Sequence, residues 1–281
     1  MKTKILMLIA ITGLIFMSVG SAHAYTINGD LSDWGVYPGD SPSQWVPSSG
    51  VYSSPLIDPV WGTPEDTTGD RVYPGWGGQR FDMEAIYTDW DSTNLYIALV
   101  TGFPINTAGG IQSSGRWFSL GDIAIDFGVN GTYDYGIELG SHAFANGYAY
   151  DGKANGTLGN IYATNAANNG NWSLIGGQAT TGSFLASAPF YMNSSVIGDG
   201  SAGIFSYSNN ADGHNVVEMS INRSIFGGNW NKNGYYKLHV TQSCGNDVIE
   251  VTTTPVPEPM SLSLLGLGLL GVIGAGIRRR K

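Results

Sequence analysis

Apolar and polar positions alternate with period two along several short stretches of the chain. Phe81, Met83, Ala85 and Tyr87 fall on one side and Asp82 and Glu84 on the other, the pattern of a half-buried strand. Residues 95–100 are apolar on both faces, as a central strand requires, and Asp89-Trp90-Asp91-Ser92-Thr93-Asn94 supplies turn formers before them. Ile123, Ile125 and Phe127 alternate with Asp122, Ala124 and Asp126, and Asn130-Gly131 predicts a hairpin into residues 132–139. Residues 216–221, 235–242 and 248–251 predict later strands; Glu84, Glu138 and Glu218 could meet across strands as a carboxyl pair, yet each also fits the solvent face of its strand. Only residues 222–226, capped by Asn222 and stopped by Gly227, predict a short helix.

The expectation is an all-β fold: a single antiparallel β-sandwich of jelly-roll type over residues 25–251, with long loops. Residues 38–78 carry Trp45, Trp61 and Trp76 among many Pro, Gly and Ser, which predicts a long insertion packed by its own aromatics or lying over one edge. Residues 146–171, rich in Asn, Gly and Ala, form a second irregular region. No repeat of fixed period points to a solenoid or propeller.

Both ends read as targeting segments. Lys2 and Lys4 precede an apolar run over residues 5–19, and Ala22-His23-Ala24 gives a small-x-small cleavage pattern, so residues 1–24 are a signal peptide with a helical core and Tyr25 is the first mature residue. At the other end Pro257-Glu258-Pro259 is followed by an uncharged stretch over residues 260–277 and then by Arg278-Arg279-Arg280-Lys281. Such a stretch just crosses a bilayer as a helix, and the basic cluster stops transfer on the cytoplasmic side. The three elements in this order resemble the PEP-CTERM sorting signal of exopolysaccharide-producing Gram-negative bacteria. The resemblance implies processing by an exosortase, transient anchoring through the C-terminal transmembrane helix, and a final place at the cell surface or in the extracellular matrix. Residues 252–256 then form the linker to the signal at 257–281.

Composition narrows the classes. The chain has 41 Gly and 12 Pro in 281 residues and only 12% charged residues. Gly plus Pro stays below the roughly 25–30% that marks low-complexity disorder, and the low charge excludes a coiled coil or a charge-rich tail. Residues 25–254 hold seven of the 13 Lys and Arg (two lie before them, four after) against 21 of the 22 Asp and Glu, a net charge of −14. A body this acidic offers no basic patch to a nucleic-acid backbone, so no nucleic-acid partner is expected. Cys244 is alone, which precludes an intrachain disulfide, and the body must be held by its core.

Four further stretches carry a second resemblance. Ile27-Asn28-Gly29-Asp30-Leu31-Ser32-Asp33-Trp34 is similar to the opening of DOMON-like, family 9 carbohydrate-binding-module-like sandwiches, with Asn28 where that family has Asp. Asp89-Trp90-Asp91 with Asn94-Leu95-Tyr96-Ile97-Ala98, then Gly121-Asp122-Ile123-Ala124-Ile125-Asp126, then Val217-Glu218-Met219-Ser220-Ile221 with Ser224-Ile225-Phe226, come in the family's order. The insertion at 38–78 has no counterpart in it.

The candidate chemistry is sparse. His239 and Cys244, five apart on one predicted strand, project to opposite faces about 16–17 Å apart and cannot form a dyad. Asp122 and Asp126 share a face about 13 Å apart, too far for the carboxyl pair of a glycosidase, which stands about 5–10 Å apart. Zinc lacks ligands at paired spacing. Asp89, Asp91 and Asn94 look like a calcium loop, but no Gly stands at the sixth position and Val100 replaces the required Glu. The oxygen-bearing residues Asn28, Asp30, Asp33, Asp126 and Asn130 are candidates for a structural calcium at the sandwich edge, as in related modules, or for turn and capping roles. No catalytic cofactor is expected.

The surplus is aromatic. Eight Trp and 15 Tyr exceed the needs of one sandwich core, and Tyr37, Trp45, Tyr52, Trp61, Tyr73, Trp76 and Trp117 sit in Pro- and Gly-rich stretches, with Trp45, Trp61, Tyr73 and Trp76 the leading sugar-binding candidates. Such rings stack on pyranose faces or pin long loops to the sheet. The expected protein is a non-enzymatic, exported polysaccharide-binding protein. The alternatives are a structural component of an exopolysaccharide matrix without a defined ligand and, third, a glycosidase.

Overall fold

A computed structural model describes residues 25–38, 42–54, 81, 83–103, 111–113, 116–139, 157–163, 172–173, 191–192, 196–207, 214–231, 234–242 and 247–254. In chain order the strands are β1 (Tyr52–Ser53), β2 (Met83–Trp90), β3 (Asn94–Thr101), β4 (Ile111–Ser113), β5 (Arg116–Phe118), β6 (Ile123–Phe127), β7 (Tyr135–Ile137) and β8 (Asn160–Ala163). They continue as β9 (Trp172–Ser173), β10 (Tyr191–Met192), β11 (Val196–Asp199), β12 (Ser201–Tyr207), β13 (His214–Asn222), β14 (Tyr236–Thr241) and β15 (Val248–Thr252). A five-stranded sheet runs β1-β2-β3-β13-β12 and a six-stranded sheet runs β11-β8-β7-β6-β14-β15. All their pairings are antiparallel. Among the described residues the predicted all-β content is therefore found, in two large antiparallel sheets and two two-stranded ones, β4-β5 and β9-β10, with little helix.

Alternate residues explain where the core lies. Ile86, Leu95, Ile97, Leu99, Val217, Met219 and Ile221 from the five-stranded sheet meet Ile123, Ile125, Phe127, Leu238, Val240, Ile249 and Val251 from the six-stranded sheet in one apolar cluster. Each fully buried side chain of this kind stabilises the fold by about 1.5–3 kcal/mol. At one end the cluster turns aromatic: the Phe127 ring lies 5.7 Å from Tyr135, 5.6 Å from Trp230 and 5.8 Å from Tyr236. The buried Tyr236 hydroxyl keeps a partner there, Thr88 Oγ1 at 2.7 Å.

The opposite face of the five-stranded sheet is also covered. Tyr25, Leu31, Trp34, Val36 and Trp45 pack on Ala85, Tyr87, Tyr96, Ala98, Val100 and Val216 in a second cluster. This coat is why residues 95–100 are apolar on both faces. Residues 42–54, expected to belong to an insertion, close the coat with a 3-10 turn over Pro42–Trp45 and an edge strand in which Tyr52 pairs with Thr88.

Four local expectations change. The alternation from Phe81 to Tyr87 is broken by a bulge between Met83 and Ala85. Phe81 and Met83 therefore enter the shared core while Ala85 and Tyr87 turn to the outer coat. The turn expected from Asp89 begins later, because β2 runs through Trp90 and Asp91 makes the turn, accepting from the amides of Thr93 and Asn94 at 2.6 and 2.7 Å. Asn222 does cap the segment after β13, accepting from Ser224 N at 2.9 Å, and the helical backbone does break at Gly227 (φ 53°), but the segment is 3-10 and a second 3-10 turn continues from the break to Asn231. Glu84, Glu138 and Glu218 are buried rather than solvent-facing, Glu218 because the aromatic coat covers the face of the sheet that carries it.

Candidate functional site

The proposed oxygen ligands fall into two separate groups. Asn28 Oδ1 accepts from Asp30 N at 2.8 Å, Asp30 Oδ1 from Ser32 N at 2.9 Å, and Asp33 Oδ2 from Thr26 N at 2.8 Å. These bonds shape the loop and cap the 3-10 turn over Leu31–Trp34. Asp126 accepts from Asn130 N at 3.0 Å and Gly131 N at 2.8 Å, and Asn130 Oδ1 accepts from Thr132 N at 2.8 Å. The first group lies on the coated face of the five-stranded sheet. Asp126 points away from the shared core on the six-stranded sheet, since its neighbours Ile125 and Phe127 point into it. With a shared core between them, the two groups cannot bind one ion. Among the described residues no group of three or more His, Cys, Asp and Glu is arranged to hold a metal.

Of the four ring candidates, Trp45 is a correction: it is 0% exposed, packed in the outer coat, and its carbonyl accepts the Tyr87 hydroxyl at 2.9 Å. A ring with no free face cannot stack on a sugar. Trp61, Tyr73 and Trp76 lie outside the described residues, as do Cys244, the signal peptide and the sorting-signal residues Pro257, Glu258, Pro259, Arg278, Arg279 and Arg280.

Sequence reasoning missed the role of Glu218. This β13 carboxylate is 0% exposed. Its Oε2 accepts from Asn28 N at 2.9 Å and Gly29 N at 2.6 Å, and its Oε1 from Trp34 Nε1 at 2.9 Å. The cross-strand partners of Glu218 are Ala98 and Gly203, small residues that leave room for the turn and the indole. Gly29 sits at φ 80°, where a side chain is strained. Burial raises the Glu218 carboxyl above its ordinary value, although the three donors pull it down. Around it Tyr25 stacks on Trp34 with centroids 4.0 Å apart and donates its hydroxyl to Asp89 Oδ2 at 2.6 Å. The signal was legible: a lone Glu in a strand whose neighbour is apolar on both faces must be buried and partnered.

The other chemistry-bearing surface is the face of the six-stranded sheet that points away from the core. Tyr162, Gly136, Ala124, His239 and Glu250 are successive cross-strand partners there, one from each of five adjacent strands. At one end Glu250 Oε1 accepts from Lys237 Nζ at 3.0 Å and stands 2.9 Å from His239 Nδ1. The His239 bond pulls the Glu250 carboxyl down to about 2; burial opposes this and Lys237 adds to it. Burial alone would lower the Lys237 ammonium, but Tyr133 and Glu250 outweigh it and hold it raised. Tyr133 completes this end, its ring 5.6 Å from that of His239 and 5.2 Å from Lys237 Nζ. At the other end the Tyr162 hydroxyl donates to Glu138 Oε2, and burial, then Glu138, raises the phenol. Three strand spacings, about 14 Å, separate Tyr162 from His239. The two ends cannot share a proton or grip one reacting bond.

The comparisons address the end of the chain. Residues 255–281 match the PEP-CTERM protein-sorting motif. A sorting motif of this kind marks an exported protein handled by an exosortase and associated with the membrane or surface. No curated protein and no solved structure matches the chain. Among the described residues no helix is long and apolar enough to cross a membrane, and the uncharged stretch at 260–277 lies outside them.

Proposed function

We propose that the chain is an exported, non-catalytic protein of the cell surface or extracellular matrix whose body, a single β-sandwich over residues 25–251, binds extracellular polysaccharide. An exosortase-type enzyme cuts at the sorting signal, and the helix at 260–277 holds the protein at the membrane until then. The sorting motif at 255–281 carries this reading. A body charge of −14, from seven basic and 21 acidic residues over 25–254, favours a neutral polymer, because like charges repel an anionic one within a Debye length of about 8 Å. The non-catalytic part is supported by Asp122 and Glu138: they flank the paired Ile123 and Ile137, but each is 1% exposed and closed to substrate.

A second reading, a structural matrix component without a defined ligand, is favoured by Trp45, which lies among the described residues and serves packing. A glycan array probed with the exported chain separates the two. Mass spectrometry of the chain recovered from its native host tests the sorting step. Truncation near residue 257 is expected, and mature chains all ending at Lys281 would overturn it.

A further inference from the structure

Asn-Gly is the dipeptide most prone to spontaneous deamidation. The glycine nitrogen attacks the Asn Cγ, gives its proton to solvent base and expels the side-chain amide as ammonia. Water then opens the succinimide to aspartate or isoaspartate. The reaction needs a backbone N–H that can deprotonate and a side chain free to meet it.

The chain contains six Asn-Gly pairs, at 28–29, 130–131, 146–147, 155–156, 169–170 and 233–234. In the two whose residues are both described, one arrangement recurs on different sheets. Asn28 Oδ1 accepts from the amide two residues on, Asp30 N, at 2.8 Å, and Asn130 Oδ1 from Thr132 N, also at 2.8 Å. The glycines lie at φ 80° and 85°. Each glycine N–H is donated to a carboxylate of a strand: Gly29 to Glu218 Oε2 at 2.6 Å, Gly131 to Asp126 Oδ2 at 2.8 Å. Both carboxylates are 0% exposed. Asn28, Asn130 and Gly131 are exposed, so water and hydroxide reach both turns, while Gly29 itself is buried against Glu218.

We propose that Glu218 and Asp126 guard these two Asn-Gly pairs against succinimide formation. A negative charge facing the N–H holds the proton in place and disfavours the anionic nitrogen that must attack. The bond from the amide two residues on fixes the asparagine oxygen in its turn. Succinimide formation must break both. A bond to a charged acceptor in a buried site slows such a step by roughly ten- to a hundredfold. For a protein that stays outside the cell, this preserves the two turns over its working life.

The test is peptide mapping by mass spectrometry of the full chain in detergent, aged at mildly alkaline pH, native and in urea. Positions 28 and 130 are expected to deamidate roughly ten- to a hundredfold more slowly in the native chain than in urea. Asp126→Ala should accelerate loss of Asn130 and leave Asn28 protected, while Glu218→Gln should do the reverse. This crossover separates local guarding from unfolding, which exposes both sites together. Equal rates native and in urea overturn the proposal, as do unaltered rates in both variants. Slower loss in the variants also overturns it, because the carboxylates would then be acting as bases.

Discussion

Trp34 Nε1 donates to Glu218 Oε1 at 2.9 Å, joining residues 184 apart in sequence. The bond ties the N-terminal coat to strand β13 of the five-stranded sheet, and Glu218 satisfies two backbone amides of the Asn28-Gly29 turn with its other oxygen. Trp34→Phe keeps most of the apolar contact and removes the donor, so a loss of about 1.5–3 kcal/mol is expected from a bond to a charged acceptor. Trp34→Ala also empties the site and should lose about 3–5 kcal/mol. Urea unfolding followed by tryptophan-independent circular dichroism measures both, and equal midpoints for wild type and Trp34→Phe would rule out the clamp.

Gly35 closes the same turn. It lies at φ 77°, its N–H caps the 3-10 turn over Leu31–Trp34, and a Cβ placed there would lie 2.8 Å from Ser48 N and closer still to Ser48 Oγ. Backbone cannot move aside as a side-chain tip can. Gly35→Ala should therefore cost at least the 1–3 kcal/mol of a residue forced into the left-handed region, or about that much again if Ser48 shifts. A thermal midpoint within a degree of wild type would show that the loop rearranges freely.

The strands at 95–100, 123–127, 235–242 and 248–251 and the Asn130-Gly131 turn were legible because period two and turn chemistry act locally. The outer coat was not, although the doubly apolar residues 95–100 announced that something must cover them. Identifying Trp34 and Trp45 as the cover needed the long-range pairing. The bulge between Met83 and Ala85 hid in an alternation that looked regular, since both faces of β2 are buried and either assignment satisfies the pattern. Edge strand β1 is two residues long and carries no period at all. The candidate ion ligands could not be sorted from sequence because Asx turns and metal loops use the same residue types; the structure shows the turn and capping bonds they make.

The Glu250 group makes stability depend on acid. Its carboxyl lies at about 2 instead of 4.5, through the His239 bond first and Lys237 next, with burial opposing. A carboxyl depressed in the folded chain contributes stability that is complete above its unfolded value and is lost as the pH falls through the folded one. The window therefore runs downward from 4.5 to about 2. Glu250→Gln should lower the urea midpoint near neutral pH and converge with wild type at the acid end of that window. Parallel pH profiles for the two proteins would show that the contact with His239 and Lys237 contributes nothing.

The ring candidates separate cleanly by substitution. Trp45 is wholly buried in the outer coat, so Trp45→Ala should lose about 3–5 kcal/mol of stability and leave polysaccharide retention on affinity gels unchanged wherever the chain stays folded. Trp61 and Trp76 stand in a Pro- and Gly-rich stretch with Asp58, Glu65, Asp70 and Arg80 close in sequence, which places stacking rings and hydroxyl-binding groups in one segment. On the proposed reading, Trp61→Ala and Trp76→Ala each weaken retention by about 1–3 kcal/mol, the cost of removing one stacking platform from a flat ring ligand, and leave the unfolding midpoint unchanged. The opposite pattern, retention intact and the midpoint lowered, would make these rings packing residues like Trp45. Polysaccharide binding would then give way to the structural-matrix reading, because the aromatic surplus would be fully used in holding the fold.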